Sequence, residues 1–349
     1  MLPTTAAAAA AAPREKQAPG HQPELFGRNS GAQGSSPEPL KVRMGQLSYK
    51  LQCVFGLCLL LLWIYYRQLE TPTTDTYSPW QRTQQLRQEH LSAACKKHGL
   101  WKPRSHPLPK QVVRQLLVEP NHRLLFCEVP KAGCSNWRRV LLLLTLNLSR
   151  WDPAEVESDS LHHTRLLQRL SSFQPRECDL RLKHYTPVLV TRHPLERLVS
   201  AYRDKLLHSE PYYMHLAARM RTAVRGSRDP ENQRNLTFPE FVTFVLRQSP
   251  AKLDVHWKPI ELLCSPCSVR YGVLIRHESL SSEAGHALRF LGIPVTGLFP
   301  SIKVHQSEKR TDGQLTRHYL GQLSSEQLGG LYTLYFLDFT LFGYHPLNP

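Results

Sequence analysis

Acidic residues are scarce in this chain: its 349 residues hold 28 Asp and Glu against 44 Lys and Arg, a formal net charge of +16. Such an excess draws anions, so nucleic acid, acidic lipid headgroups and sulfated or uronic-acid glycans are candidate partners. Nucleic acid is disfavoured, because no RNA- or DNA-binding motif is present and the basic residues are dispersed instead of forming one block. Other absences cut further. There is no Walker A spacing, so no ordinary nucleotide-triphosphatase loop. No Asp-x-Asp occurs, the pair with which many sugar-nucleotide transferases carry a divalent ion. Cys264-Ser265-Pro266-Cys267 has the spacing of half a zinc site or of a redox pair. No second pair or His-x-x-x-His completes a zinc site and no thioredoxin-like context surrounds it, which favours structural disulfide bonding. No metal is implied. The first fifty residues hold too few large apolar side chains to offset the entropy of ordering: an alanine run, Ala6 to Ala12, gives way to Pro, Gly, Ser and Gln, and 1–50 is expected to be a disordered tail.

One long apolar run is present. Leu51 to Tyr66 is uncharged, with Lys50 before it and Arg67 after. Its length falls just under the ~17 to 25 residues of a spanning helix and suits a thin bilayer, with Tyr65, Tyr66 and the flanking cations at the interface. A cleaved signal belongs at the N-terminus, not behind fifty residues, and the surroundings offer no globular partner for a core helix. A single membrane anchor over 51–66 is therefore expected. Lys41, Arg43 and Lys50 before it, against Arg67 and Arg82 after it, favour a cytoplasmic N-terminus. The sequons Asn147-Leu148-Ser149 and Asn235-Leu236-Thr237 then lie on the lumenal side, as candidate glycosylation sites. Beyond the span 38 Lys and Arg face 25 Asp and Glu, an excess of +13. In an oxidising lumen Cys95, Cys127, Cys134, Cys178, Cys264 and Cys267 permit three disulfides, with the pairing open. Residues 67–111, rich in Thr, Pro, Gln, Arg and His, read as a lumenal stem, and the catalytic domain is expected over 112–349.

The chain is organised around Leu124 to Arg139. An apolar run ends at Pro130, then Lys131, Ala132, Gly133, Cys134, Ser135 and Asn136 lead into a helical pattern through Val140 to Leu146. Strand, tight loop and helix make an anion site: free N–H groups and the positive dipole end point into the loop, and Lys131 adds a mobile charge. The alternative is a plain strand-to-helix turn with a solvated lysine. A second such unit shifts the balance. Pro187 to Thr191 is a short apolar strand ending at Arg192, and Pro194 opens a helix running to Lys205. Leu195, Leu198, Val199 and Tyr202 form its buried stripe, while Glu196, Ser200 and Arg203 fall on another face, leaving Arg192 and Ser200 free for a ligand. Two such cation sites suit a ligand with two separated anionic groups.

With these motifs the sequence resembles the Golgi carbohydrate sulfotransferases, in the branch of the chondroitin, dermatan and N-acetylgalactosamine 4-O-sulfotransferases and the glucuronyl 3-O-sulfotransferase. The likeness continues through His256-Trp257-Lys258-Pro259, Leu263 to Cys267, Glu278-Ser279-Leu280 and Leu337 to Tyr344, covering roughly Leu116 to the C-terminus. The Cys127 to Trp137 and Leu263 to Cys267 runs are most similar to the N-acetylgalactosamine 4-O-sulfotransferases, including those acting on N-linked glycans, with the chondroitin and dermatan enzymes as near neighbours. The resemblance implies a type II Golgi membrane protein that uses 3′-phosphoadenosine 5′-phosphosulfate as co-substrate and a glycan acceptor that is acidic or contains N-acetylgalactosamine. It implies that Pro130, Lys131, Ala132, Gly133, Cys134, Ser135 and Asn136 hold the 5′-phosphosulfate. Arg192, His193, Pro194, Leu195, Glu196, Arg197, Leu198, Val199 and Ser200 would hold the 3′-phosphate. Two positions depart from the pattern: His193 stands where relatives have an acidic residue, and Ile275 where they tend to have glycine.

Alternation of strands and helices continues. Thr237-Phe238-Pro239-Glu240 is a capping box opening a helix through Leu246, Tyr271 to Arg276 a short strand, and Glu283 to Leu291 a helix stopped by Gly292 and Pro294. The expected fold is α/β, a mainly parallel sheet flanked by helices, with ligands at the carboxyl ends of the strands. Sulfuryl transfer needs alignment of three groups and stabilisation of spreading charge, the latter falling to Lys131 and the loop N–H groups. A sugar hydroxyl gains from a base, for which His256 is the candidate, with its neighbour Trp257 stacking on a sugar face; His184 and then Glu278 are in reserve. Direct displacement needs no nucleophile from the protein, so Cys134 is read as a packing or disulfide residue. Residues Ser209 to Arg228 are expected to shape acceptor choice. A Golgi glycosyltransferase and a non-catalytic membrane-anchored binder of acidic glycans are the rival readings.

Overall fold

Five short strands, mostly of Leu, Val and Phe, form one sheet: β1 (Leu116–Glu119), β2 (Leu124–Cys127), β3 (Gln168–Arg169), β4 (Thr186–Thr191) and β5 (Val273–Arg276), in the order β3-β1-β2-β4-β5. A computed structural model describes residues 52–65, 78–102, 107–148, 152–156, 161, 164–208, 211–226, 235–293, 299–300 and 308–347. The expectation of a mainly parallel sheet is corrected to a mixed one. β2 pairs in parallel with β4, and β4 with β5, but β1 runs antiparallel to both β2 and β3. The antiparallel half comes from a tight connection: Glu119 accepts the N–H groups of Asn121 and His122, and Arg123 adopts a positive φ of 55°. The parallel trio positions the site, because β2, β4 and β5 all present their carboxyl ends on one side of the sheet.

Two apolar clusters share the folded unit, residues 75–349. The first surrounds the sheet. Helix Pro79–Lys97 belongs to it, so these residues, within the expected stem 67–111, pack on the folded unit: Trp80, Leu91, Ala94 and Cys95 are buried, Gln84 and Arg87 bond the Leu274 carbonyl, and Arg87 pairs with Glu283. Two disulfides close this cluster, Cys95–Cys267 and Cys127–Cys264, so the cysteines of the Cys-x-x-Cys pair are both structural but bond elsewhere. Cys134 and Cys178 are free thiols. The second cluster is helical and aromatic. Helices Pro194–Leu206, Pro211–Arg225, Phe238–Leu246 and Ser325–Leu334 bury Tyr202, Tyr213, Phe238, Phe241, Trp257 and Tyr335 together. The Thr237 capping box is present, with Glu240 returning to the Thr237 N–H.

Residues 52–65 form an exposed helix within the separate unit 1–74. At 1.5 Å per residue it spans about 21 Å, short of a ~30 Å hydrocarbon core, and among the described residues no helix is long and apolar enough to cross a membrane. The ends of the expected span, Leu51 and Tyr66, lie outside the described residues, as do the expected tail over 1–50 and residues 67–77.

Candidate active site

The loop after β2 is shaped by two left-handed residues, Lys131 (φ 68°) and Gly133 (φ 82°). Gly133 is the N-cap of helix Cys134–Thr145 and lacks a side chain, so the cap residue itself makes no side-chain bond to the first turn of that helix. A Cβ at Gly133 would come within 2.7 Å of Leu280 Cδ2, so a larger residue is strained by the positive φ and also requires the Leu280 side chain to shift. Behind the loop, Trp137 stacks on Phe126 with ring centroids 5.3 Å apart and anchors the helix to β2. Asn136 faces inward and accepts from Arg139, and burial pushes the Cys134 thiol up, which keeps it neutral.

Lys131 Nζ lies 3.1 Å from Asp204 Oδ2, and Lys205 Nζ lies 3.2 Å from the same oxygen. Burial holds Lys131 below its ordinary lysine value; Asp204 opposes this and the Arg192 charge adds to it. Asp204 itself is lowered, since the two lysines outweigh the upward push of burial. Arg192 sits at the end of β4, 4% exposed, and its Nη groups donate to the carbonyls of Lys131 (2.8 Å) and Thr311 (2.6 Å). The expectation of a free Arg192 is thus corrected: only Nε lacks a hydrogen-bond partner, with Glu196 Oε2 at 3.8 Å. His277, which follows β5, is pushed down to about 3 by burial and by the charges of Arg192, Arg310 and Lys131. Three cations therefore converge where the carboxyl ends of β2, β4 and β5 meet, an electropositive focus for an anion.

His193 caps helix Pro194–Leu206. Its Nδ1 accepts from the Glu196 N–H at 3.5 Å and its Nε2 donates to the His345 carbonyl at 2.9 Å, the pattern of a neutral imidazole, which burial favours by lowering its pKa. An acidic N-cap would do the same work, which accounts for the departure at this position. Ile275 is fully buried in β5, its carbonyl bonded by Thr191 Oγ1. Pro194, Leu195, Leu198 and Val199 are buried beneath the motif and hold it in place, whereas Glu196 and Ser200 stay half-buried on the other face.

Arg197 is corrected from ligand contact to structural joint. It is 1% exposed; Nε donates to the Pro130 carbonyl (2.9 Å), Nη1 to Lys258 (2.6 Å) and Nη2 to Val255 (2.7 Å). One guanidinium therefore fixes the residue before Lys131 and the residue before His256. The Cys127–Cys264 disulfide makes a second tie, from the end of β2 to helix Ile260–Cys264. Asp338 makes a third, accepting the N–H groups of Ile260 (2.7 Å) and Glu261 (2.8 Å) from the C-terminal motif.

His256 is held by Asp254, whose Oδ1 lies 2.8 Å from Nδ1; Tyr213 Oη is 2.8 Å from the same nitrogen. Nδ1 as donor leaves Nε2 with its lone pair, the form a general base requires. Asp254 is lowered, the hydrogen bond and charge of His256 outweighing burial. Trp257 does not face a sugar. It is 2% exposed, edge-on to Phe241 at 5.3 Å, and its carbonyl takes a hydrogen bond from Tyr335. His184, the reserve base, is exposed at the end of helix Pro175–His184 and precedes β4, about 20 Å of strand away from the carboxyl end where the anion loops lie. Glu278 accepts the His193 N–H (2.7 Å) and the Tyr344 hydroxyl (3.1 Å), a scaffolding role.

Asp204, Tyr213, Asp254, His277 and Arg310 were not singled out from sequence. Asp254 had a local signal, two residues before His256, and Asp204 lies one helical turn after Ser200. The other three meet the site only through long-range packing.

Residues 114–345 match the sulfotransferase family profile. Mouse carbohydrate sulfotransferase 8 is 38% identical over 269 residues, which is 75% of this chain and 64% of that protein. Human carbohydrate sulfotransferase 9 is 35% identical over 76% of this chain and 60% of its own length. Zebrafish (Danio rerio) carbohydrate sulfotransferase 14 is 32% identical over 80% of this chain and 77% of its own length. The chain thus spans under two thirds of the first two relatives. No solved structure matches it. A family profile covering most of the folded unit, and relatives above 30% identity along it, establish that the chain belongs to the sulfotransferase family.

Proposed function

We propose that this protein is a carbohydrate sulfotransferase that moves a sulfuryl group from 3′-phosphoadenosine 5′-phosphosulfate to a sugar hydroxyl. The favoured acceptor is the 4-OH of N-acetylgalactosamine, in N-linked glycans or in chondroitin and dermatan. The observation that carries this reading is the Arg197 joint, which holds a cationic loop and a carboxylate-held histidine against one another. The residues present fit a donor with two anionic groups. The uncapped start of helix Cys134–Thr145 and Lys131 suit the phosphosulfate, and Arg192 Nε with Ser200 suits the 3′-phosphate. The donor supplies an activated sulfuryl group whose bond to phosphate oxygen breaks as the bond to the acceptor oxygen forms. His256 Nε2 takes the proton of the acceptor hydroxyl, Asp254 holds the ring and stabilises the imidazolium, and Lys131 faces the charge that grows on the leaving side.

The anchor over 51–66, a lumenal catalytic domain in the Golgi and glycan attachment at Asn147 and Asn235 belong to the same reading. Both asparagines are exposed, and Asn147 Oδ1 accepts from Asn121. The test is incubation with labelled donor and a panel of chondroitin, dermatan and terminal N-acetylgalactosamine acceptors, followed by linkage analysis, alongside retention on immobilised adenosine 3′,5′-bisphosphate. Label in a 4-O-sulfate ester together with retention is expected. Retention of neither donor product nor label, with glycan binding intact, would make the protein a glycan binder instead.

A further inference from the structure

Trp257 is buried, which leaves the question of what meets the acceptor beside His256. One exposed aromatic close to it is Tyr212, 66% exposed in the first turn of helix Pro211–Arg225. Its ring stands edge-on to Tyr213 with centroids 4.8 Å apart, and Tyr213 Oη lies 2.8 Å from His256 Nδ1. Tyr212 is thus one ring removed from the proposed base. An exposed tyrosine packed on its edge keeps a face open, and sugar rings present apolar C–H faces to such a surface.

Helical spacing extends the feature. At about 100° per residue, Tyr212, His215 and Arg219 fall within an arc of about 60°, and all three are exposed. From Tyr212 to Arg219 the helix rises about 10.5 Å, a reach that suits adjoining sugars of a chain. The helix carries no Asp or Glu. Its C-terminal Arg225 is committed to Glu240, so Arg219 is the cation displayed along this face next to Tyr212. The same face would be an ordinary solvated one if it lay elsewhere; what distinguishes it is an aromatic start beside His256 and a charge of the sign that a uronate or sulfate requires.

We propose that Tyr212, His215 and Arg219 form an acceptor strip, in which Tyr212 stacks on the sugar next to the reacting one and His215 and Arg219 bind the carboxylate or sulfate of a following unit. This rests on the sulfotransferase reading and narrows it to an acidic, uronate-bearing acceptor of the chondroitin type. Tyr212, His215 and Arg219 are not among the residues assigned to the donor or to proton transfer, so their variants should leave donor binding intact.

The test titrates the full chain, without donor, with a chondroitin oligosaccharide and with a neutral oligosaccharide ending in N-acetylgalactosamine. Arg219→Glu is expected to weaken chondroitin binding roughly three- to tenfold, since it reverses one exposed charge contact, with the neutral ligand and adenosine 3′,5′-bisphosphate unaffected. Tyr212→Ala is expected to weaken both glycans by roughly threefold or more, and Tyr212→Phe to restore them, because stacking needs the ring and not the hydroxyl. Unchanged chondroitin binding in Arg219→Glu and Arg219→Gln, or an equal loss for the neutral glycan, would overturn the strip. Because binding is read without turnover, failure of sulfuryl transfer would not be mistaken for failure of the strip, nor the reverse.

Discussion

The sheet-centred cluster and the helical cluster contribute to one site by different means. The sheet side is closed by two disulfides and offers backbone together with two cations: the start of helix Cys134–Thr145, the left-handed turn through Lys131 and Gly133, and the Arg192 guanidinium at the end of β4. The helical side has no disulfide among the described residues and offers side chains, Asp204, Tyr213 and His256, on a packed aromatic bed. Backbone donors at fixed positions suit a constant anion, while side chains on helices can be exchanged without disturbing the loop. On the proposed reading the phosphosulfate end of the donor belongs to the rigid half and acceptor choice to the exchangeable one, with Arg197 between them.

The sharpest way to break this division is at the chemistry. His256→Ala is expected to lower turnover by ~10² to 10⁴ and to remove the acidic limb of the rate profile, while adenosine 3′,5′-bisphosphate binds as before. Asp254→Asn should act in the same direction but less, by weakening the hold on the ring. On the opposite half, Lys131→Ala should lower turnover by ~10² to 10³ and weaken binding of the desulfated product much less, because the charge it meets grows only in the transition state. A His256→Ala protein retaining most of its turnover would place the base elsewhere.

Breaking the joint itself should cost stability as well as activity. Arg197→Met leaves the carbonyls of Pro130, Val255 and Lys258 without their donor. A buried group stripped of its partner costs ~1 to 3 kcal/mol, so a loss of at least ~3 kcal/mol is expected in urea denaturation, together with loss of donor binding. Opening Cys127–Cys264 by a paired Cys→Ala change is expected to cost ~2 to 5 kcal/mol. It should impair activity more than the same change at Cys95–Cys267, because only the former joins the strand before Lys131 to the helix after His256.

The smallest expected effect is on pH. His277 and His193 both hold pKa values below the ordinary histidine range in the folded protein. The unfolded chain therefore binds protons that the folded chain refuses as pH falls below about 6.5, and each such histidine removes up to ~1.4 kcal/mol of stability per pH unit. His277→Gln should flatten the stability profile between pH 6.5 and about 5, above the range where ordinary carboxylates titrate. An unchanged slope would mean that His277 is protonated in the folded state, and that the three cations do not converge on it.

What could be read from sequence was whatever is local. Pro130, Gly133 and Pro194 punctuate the chain, the 3.6-residue spacing of Leu195, Leu198, Val199 and Tyr202 marks a buried stripe, and the Thr237 box opens its helix where expected. Strand direction is not local. β1 and β2 are each buried at every position, so no alternation distinguished an antiparallel hairpin from a parallel pair. Helix Pro79–Lys97 escaped notice because its docking rests on polar residues, Gln84 and Arg87, which resemble solvated ones until Leu274 and Glu283 are brought to them. Arg192 and Arg197 looked alike in sequence; what separates them is that Arg197 bonds carbonyls through all three guanidinium nitrogens, whereas Arg192 does so through Nη1 and Nη2 alone.

The Lys131–Asp204 contact gives the cation of the loop after β2 a carboxylate partner within the protein itself. If Lys131 meets the donor as proposed, the anion competes with a carboxylate 3.1 Å away, so its apparent affinity reflects an exchange and not a simple capture. The same carboxylate stands ready to reclaim the lysine when the anion departs. A site built this way gives up tightness in exchange for release, and its resting state never carries a bare, buried ammonium.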